Sequence, residues 1–214
     1  MNIANGSQSI SASQGTDTFN GIEGVIGGSG DDTLRGNSGD NSLVGGKGDD
    51  TIFSYGGVDY VDGGELGEDE GGDYISFSNV VDANSDISVD LSNQNAQDTD
   101  NDGNVDLTLV NIENVEGGAG DDKLTGDATN NILKGGSGDD TFKGGAGDDT
   151  FDGEAGTQDV ADYSHLNLGI KVDLKDTDNN GYEVDSDGEN GKDNLENIEI
   201  IKGSKATDTF VGSD

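Results

Sequence analysis

The sequence predicts an all-β solenoid in which short parallel strands stack coil upon coil. Three observations carry that expectation: a nine-residue period rich in glycine and aspartate, one apolar residue at a constant place in each period, and a composition too polar for a conventional core. Of the 214 residues only 29% are apolar, against the ~45–50% of an ordinary soluble domain. Ten basic side chains face 46 acidic ones, giving a net charge of −36. Such a chain repels itself and has little apolar surface to bury, so it folds only if cations neutralise it.

The same charge excludes nucleic acid and anionic membranes as partners, since each offers phosphate to a carboxylate surface. The absence of cysteine removes disulfides, thiolate zinc sites and cysteine catalysis together. No apolar run approaches the ~18–20 residues that cross a bilayer, so membrane insertion is not expected. The opening MNIANGSQSI lacks the basic and apolar regions of a secretory signal.

Read in nines from Gly27, the first block is GGSGDDTLR, GNSGDNSLV, GGKGDDTIF and SYGGVDYVD; a fifth copy opens at Gly63 and Gly64 and closes, after an inserted ELGEDE, as GGDYIS. The second block runs from Gly117 as GGAGDDKLT, GDATNNILK, GGSGDDTFK, GGAGDDTFD and a degenerate GEAGTQDVA. A longer period contains the short one. Ile22, Ile112 and Ile198 sit in N-x-I-E-like contexts spaced by 90 and 86 residues, and the intervening spacers also match, FSNV against YSHL and DISVDL against GIKVDL. The expected organisation is therefore a lead-in or cap over 1–21, a first unit over 22–111 with its nonapeptide block at 27–76, a second unit over 112–197 with its block at 117–161, and a truncated third unit or C-terminal cap over 198–214. A longer parent chain is expected.

Within each nine, position 8 is apolar (Leu34, Leu43, Ile52, Val61, Ile75, Leu124, Leu133, Phe142, Phe151) between mostly polar neighbours. This is a minimal strand with one inward side chain. The remaining positions read as a turn, with glycine where the chain needs positive φ or close backbone approach. Helix is excluded for these blocks, because interior glycine costs ~1 kcal/mol relative to alanine and every nine carries several. The spacer segments Ile87 to Leu91, Val105 to Val110 and Ile170 to Leu174 alternate cleanly and are expected to form longer strands that extend the sheet sideways or cap it.

Position 6 carries the chemistry. It is Asp32, Asp50, Asp59, Asp73, Asp122, Asp140, Asp149 and, after a one-residue slip, Asp159; the second copy of each block has Asn41 or Asn131 instead. Stacking would bring these carboxylates to about one strand spacing, ~4.7–4.9 Å, where like charges repel unless a cation sits between them. Calcium takes six to eight hard oxygens in flexible geometry, magnesium demands a stricter octahedron, and zinc and copper want histidine or cysteine. Several Ca²⁺ ions are the expected cofactor.

GGSGDDTLR, GGKGDDTIF, GGAGDDKLT and GGAGDDTFD resemble the repeat-in-toxin, or hemolysin-type, calcium-binding nonapeptide GGxGxDxUx, and the ten copies cover about 90 of the 214 residues. The resemblance implies a parallel β-roll with two nonapeptides per turn and Ca²⁺ held between turns. Its implied ligands are the side chains of Asp32, Asp50, Asp59, Asp73, Asp122, Asp140, Asp149 and Asp159, with backbone carbonyls near Gly28, Gly30, Gly46, Gly48, Gly118, Gly120, Gly136, Gly138, Gly145 and Gly147. Copies centred on Asn41 and Asn131 lose the charge and are expected to be weak or empty, and SYGGVDYVD begins without its glycine pair.

Position-5 acids (Asp31, Asp40, Asp49, Asp121, Asp139, Asp148) suit either a ligand or an outward solubilising role. Two spacer segments place alternating acids before a glycine, as calcium loops do: Asp98, Asp100 and Asp102 before Gly103, and Asp176, Asp178 and Asn180 before Gly181. Neither has glutamate at the twelfth loop position.

Catalysis finds no support. His165 is the only histidine, there is no tryptophan to wall a sugar cleft, and the nucleophile-elbow, HExxH and phosphate-loop motifs are missing. The outward position-7 ladder mixes Thr, Ser, Tyr, Lys and Ile, which argues against an ice-ordering face. The sequence reads as a non-enzymatic calcium-binding module of a larger bacterial protein. The resemblance implies type I secretion, folding on external Ca²⁺, and an extracellular or cell-surface place as a structural or adhesion module. The alternative is a C-terminal accessory or polysaccharide-binding module of a secreted protease, lipase or alginate epimerase, with a cell-surface glycan as partner.

Overall fold

A computed structural model describes residues 22–64, 72–80, 85–174, 182–185 and 191–212, with backbone alone at 6–11, 15–19, 182 and 183. The described residues contain β-strands and no helix. They divide into two compact units, 1–77 with 93–114 and 78–92 with 115–214. The insert at 65–70 and the predicted loop residues Asp176, Asp178 and Asn180 lie outside the described residues.

In the first unit the strands Gly24–Ser29, Ser42–Lys47, Asp59–Gly64 and Leu107–Val110 make one parallel sheet, while Thr33–Arg35, Thr51–Phe53 and Tyr74–Ser76 pair in another. Successive nonapeptides alternate between the two sheets. Leu34 therefore pairs with Ile52, and Leu43 with Val61, at a separation of 18 residues, which is two nonapeptides per coil. Gly6–Ser11 and Gly15–Phe19 form a separate antiparallel pair.

The second unit repeats the plan. Lys123–Thr125, Thr141–Lys143, Val160–Asp162 and Ile200–Lys202 stack in parallel, beginning from the spacer strand Ser88–Asp90. Val115 pairs with Leu133, Ile132–Lys134 with Thr150–Asp152, and the latter with Lys192–Glu196. Tyr182–Asp185 then runs antiparallel to both Lys192–Glu196 and Lys171–Asp173, and Thr209–Val211 joins Lys171–Asp173 in parallel.

Every position-8 residue points into the roll. Leu34, Leu43, Ile52, Val61, Ile75, Leu124, Leu133, Phe142 and Phe151 are all fully buried, and Ala161 takes the same place in the degenerate copy. One inward apolar residue per nine gives a core only one side chain wide, which is why so few apolar residues suffice. Phe142 and Phe151 stack with ring centroids 5.6 Å apart. The spacer strands extend the sheets as expected, and Ser88–Asp90 and Leu107–Val110 cap theirs as edge strands. They enter the same ladders in register, Val89 on Leu124, Leu109 on Val61 and Val172 on Phe210, because their alternation offers the same single inward residue.

Candidate metal centre

Alternation along the strand extends two residues back from position 8, so position 6 also faces inward. Asp50, Asp59, Asp73, Asp122, Asp140, Asp149 and Asp159 are buried accordingly, and Asp32 is half-buried. Burial of this many carboxylates is costly unless they are bonded and charge-compensated.

The first compensation is a ladder of hydrogen bonds between coils. In the second unit the backbone N–H of Ile87 donates to Asp122 Oδ1 (2.8 Å), that of Asp122 to Asp140 Oδ1 (2.8 Å), that of Asp140 to Asp159 Oδ1 (2.7 Å), and that of Asp159 to Glu199 Oε2 (2.9 Å). A parallel ladder runs from the N–H of Asn131 to Asp149 Oδ1 (2.9 Å) and from Asp149 N–H to Asp193 Oδ1 (3.1 Å). The first unit has Asp32 donating to Asp50, Asp50 to Asp73, and Asp73 to Glu113, with Asn41 donating to Asp59. One carboxylate oxygen of each acceptor is thus used by the fold itself.

The second oxygen distinguishes the turns. Oδ2 of Asp140, Asp149 and Asp159 is buried without a hydrogen-bond partner. In other copies that place is filled from within the chain: Gly118 N–H donates to Asp122 Oδ2 (2.9 Å), Asn37 N–H to Asn41 Oδ1 (2.7 Å) and Asp127 N–H to Asn131 Oδ1 (2.8 Å). Position 1 of the fourth copy is Ser54, whose hydroxyl donates to Asp59 Oδ2. The turns that leave Oδ2 bare have their second residue at positive φ, +105° at Gly136, +113° at Gly145 and +56° at Glu154, which swings the N–H away. Glu154 accepts this left-handed backbone without being glycine.

Position-1 glycines make the room. A Cβ on Gly135 or Gly144 would collide with Oδ2 of Asp140 or Asp149 of the same repeat. The position-2 carbonyls of Gly118 and Gly136 accept the N–H groups of Ser137 and Ala155 in the next coil, and the position-4 carbonyls of Gly120 and Gly138 press on Gly138 and Gly156. At Gly156 the Gly138 carbonyl and Asp159 Oδ2 border the same point, so a glycine carbonyl lies close to that bare carboxylate oxygen. Gly28, Gly30, Gly46, Gly48 and Gly147 share the positive φ of these turns.

The electrostatics favour a cation or a proton at these groups. Burial pushes Asp140 and Asp149 up to about 7, and the charges that add to it are carboxylates: Asp122, Asp159 and Asp121 around Asp140, and Asp193, Asp127 and Asp148 around Asp149. Burial likewise raises Asp122 and Asp193 to about 6 and shifts Asp59 and Asp159 upward. A bare, buried carboxylate oxygen beside backbone carbonyls and acids is a hard-oxygen donor set, which fits calcium.

Position-5 acids form an outer ladder of opposite direction. Asp31 accepts from Asp49 N–H, Asp40 from Val58, Asp121 from Asp139, and Asp148 from Lys192. Asp139 accepts from Thr157 and Gln158. In the first spacer the carboxylates of Asp98, Asp100 and Asp106 each place an oxygen within 4.8 Å of the others. The predicted third member, Asp102, instead accepts from Asn104 N–H (2.8 Å), and Asp106, missed in the sequence, replaces it. Sequence reading also missed Glu113, Glu199 and Asp193. The duplicated N-I-E at 111–113 and 197–199, and the G-K-D-N-L at 191–195, were the signals available.

The fold is a roll of nonapeptide repeats, and its donor set suits calcium. The family model for the RTX calcium-binding nonapeptide repeat, built of four copies, matches residues 35–65, 111–141 and 125–157. Over those residues the chain carries repeats of that family. A search of curated proteins returned no match.

Proposed function

We propose that the chain is a calcium-dependent structural module whose folding is driven by Ca²⁺ bound between successive coils. The observation that carries this reading is the buried, unpartnered Oδ2 of Asp140, Asp149 and Asp159 among other acids. Without an ion these groups repel and hold protons; with one, binding free energy becomes folding free energy. The ions sit beside position-6 carboxylates whose turns are open, with Asp140, Asp149 and Asp159 as the principal ligands. Asp32, Asp50 and Asp73 hold the corresponding places in the first unit. Asp59 and Asp122, whose Oδ2 is already bonded, and the asparagine copies contribute less. Asp98, Asp100 and Asp106 form an additional loop site.

Site affinities of about 10⁻⁴–10⁻³ M, as in extracellular calcium modules, would leave the chain unfolded inside a cell and folded outside. This supports export in an unfolded state by type I secretion and a place at or beyond the bacterial surface, within a longer chain. No helix of the described residues is long and apolar enough to cross a membrane. The module performs no chemistry of its own; its one histidine, His165, is exposed.

Circular dichroism during a calcium titration, with magnesium as control, tests the proposal. The expected result is a disordered spectrum in chelator and a β spectrum at millimolar Ca²⁺. A full β spectrum in chelator at neutral pH would overturn it.

A further inference from the structure

The Asn-Ile-Glu motif at 111–113 recurs at 197–199, and strand register fixes its place in the roll. Leu109 and Leu195 pair with the position-8 residues Val61 and Phe151, while Val115 and Ile201 pair with Leu133 and Ala161. Successive inward residues are therefore six apart across each motif, where an ordinary nonapeptide sets them nine apart. Asn111 and Asn197 stand at position 1, Glu113 and Glu199 at position 6, and a single isoleucine replaces the four glycine-rich positions between them.

The two copies close in the same way. Asn111 and Asn197 have φ of +51° and +53°, a left-handed backbone that asparagine tolerates. Their side-chain amides donate to the position-9 carboxylates of the preceding coil, Asn111 Nδ2 to Asp62 Oδ1 at 2.9 Å and Asn197 Nδ2 to Asp152 Oδ1 at 2.7 Å. Asn111 also donates to the Gly64 carbonyl at 2.8 Å. The Asp73 carbonyl accepts the N–H groups of Glu113 and Asn114, and the Asp159 carbonyl those of Glu199 and Ile200. In return, Glu113 and Glu199 accept the N–H groups of Asp73 and Asp159 through Oε2, each at 2.9 Å. A position-6 aspartate makes this bond elsewhere in the ladder, with a side chain one methylene shorter.

We infer that Asn-Ile-Glu is a metal-independent closing turn that ends each column of ions. The shortened turn has no position-2 or position-4 carbonyl to offer a cation, and Ile112 is buried where the glycine loop would be. The asparagine amide and the longer glutamate side chain supply instead the bonds that hold the turn and satisfy the last backbone N–H of the aspartate ladder. Ion-dependent coils can then stop without leaving an orphan donor, and the open turns preceding the motif set how many ions a unit takes.

The inference rests on the calcium reading above, and its test separates reach from charge at Glu113. Glu113→Gln keeps an oxygen for the Asp73 N–H and loses the charge; Glu113→Asp keeps the charge and loses the reach. Calcium titration of the whole chain by circular dichroism, with ions counted by native mass spectrometry, compares them. Glu113→Gln and Glu199→Gln should match the parent in midpoint and ion count. Glu113→Asp should raise the midpoint about fivefold, as loss of one backbone hydrogen bond does, at an unchanged count. If Glu113→Asp does not fold, Asn111→Gly takes its place with the same expectation, since it accepts the left-handed backbone and lacks the amide. An ion lost from Glu113→Gln, a midpoint raised there as far as in Asp140→Asn, or Glu113→Asp and Asn111→Gly both indistinguishable from the parent would overturn the closing turn. A parent fully folded in chelator overturns the calcium reading instead, and the order of thermal melting, parent and Glu113→Gln above Glu113→Asp, then decides the turn by itself.

Discussion

Asp140 holds Asp159 by one oxygen only: its N–H donates to Oδ1 at 2.7 Å, while Oδ2 of Asp159 is buried with no partner. The same half-satisfied carboxylate recurs at Asp140 and Asp149. A fold that buries acids in this way is stable only to the extent that something outside the chain satisfies them.

Asp140→Asn and Asp122→Asn should separate open from closed turns. An amide at 140 keeps an oxygen for the Asp122 N–H and loses the charge the ion needs. The calcium midpoint should rise about tenfold, the equivalent of about 1.4 kcal/mol. At 122 both oxygens already accept backbone N–H groups, from Ile87 and Gly118, so an amide there costs one hydrogen bond rather than an ion ligand, and the midpoint should rise less than for Asp140→Asn. Calcium titration followed by circular dichroism checks both; equal shifts would remove the distinction.

Gly144→Ala puts a Cβ into the space of Asp149 Oδ2, whereas Gly56→Ala meets nothing nearer than Ser38 Cα at 3.9 Å. The first should weaken calcium-dependent folding severely. The second should stay within about 0.5 kcal/mol of the parent, as surface changes do. Thermal melts at fixed Ca²⁺ give the comparison.

Phe142→Ala tests the narrow core. The ring is fully buried and stacked on Phe151. Its loss should destabilise the calcium-loaded form by about 3–5 kcal/mol, read from denaturant unfolding at saturating Ca²⁺.

Acid and calcium should compete. Asp140 and Asp149 lie near 7 in the metal-free fold, against an ordinary aspartate value of 3.8. Between these values the metal-free fold binds more protons than the unfolded chain, so acid stabilises it. That contribution is complete below the ordinary value and is lost as pH rises through about 7. The metal-free chain should therefore gain β signal as pH falls from 8 towards 4.5. Calcium needs the ionised form, and its midpoint should rise below neutrality by about tenfold per pH unit for each proton displaced. A calcium midpoint independent of pH between 5 and 8 would contradict the placement of these carboxylates at the ion.

The nine-residue period, the inward position-8 residues and the stacking of the position-6 aspartates were all legible in the sequence, because each depends on contacts that recur at a fixed spacing. Leu34 meets Ile52 for the same local reason that Leu124 meets Phe142. Asp193, Glu113 and Glu199 were not legible as rungs, since their partners lie 40 to 44 residues away across spacers that break the period.

By itself, then, the amino-acid order determined a roll of short strands with acids lining its turns and a composition that demands cations. Only the tertiary structure decided which acids stay bare. That choice depends on whether a position-2 N–H or the Ser54 hydroxyl reaches the carboxylate, as at Asp122 and Asp59, or is turned away by positive φ, as at Asp140 and Asp149. Repeats with nearly the same letters differ here, because the orientation of one peptide group is set by the coils stacked on either side of it.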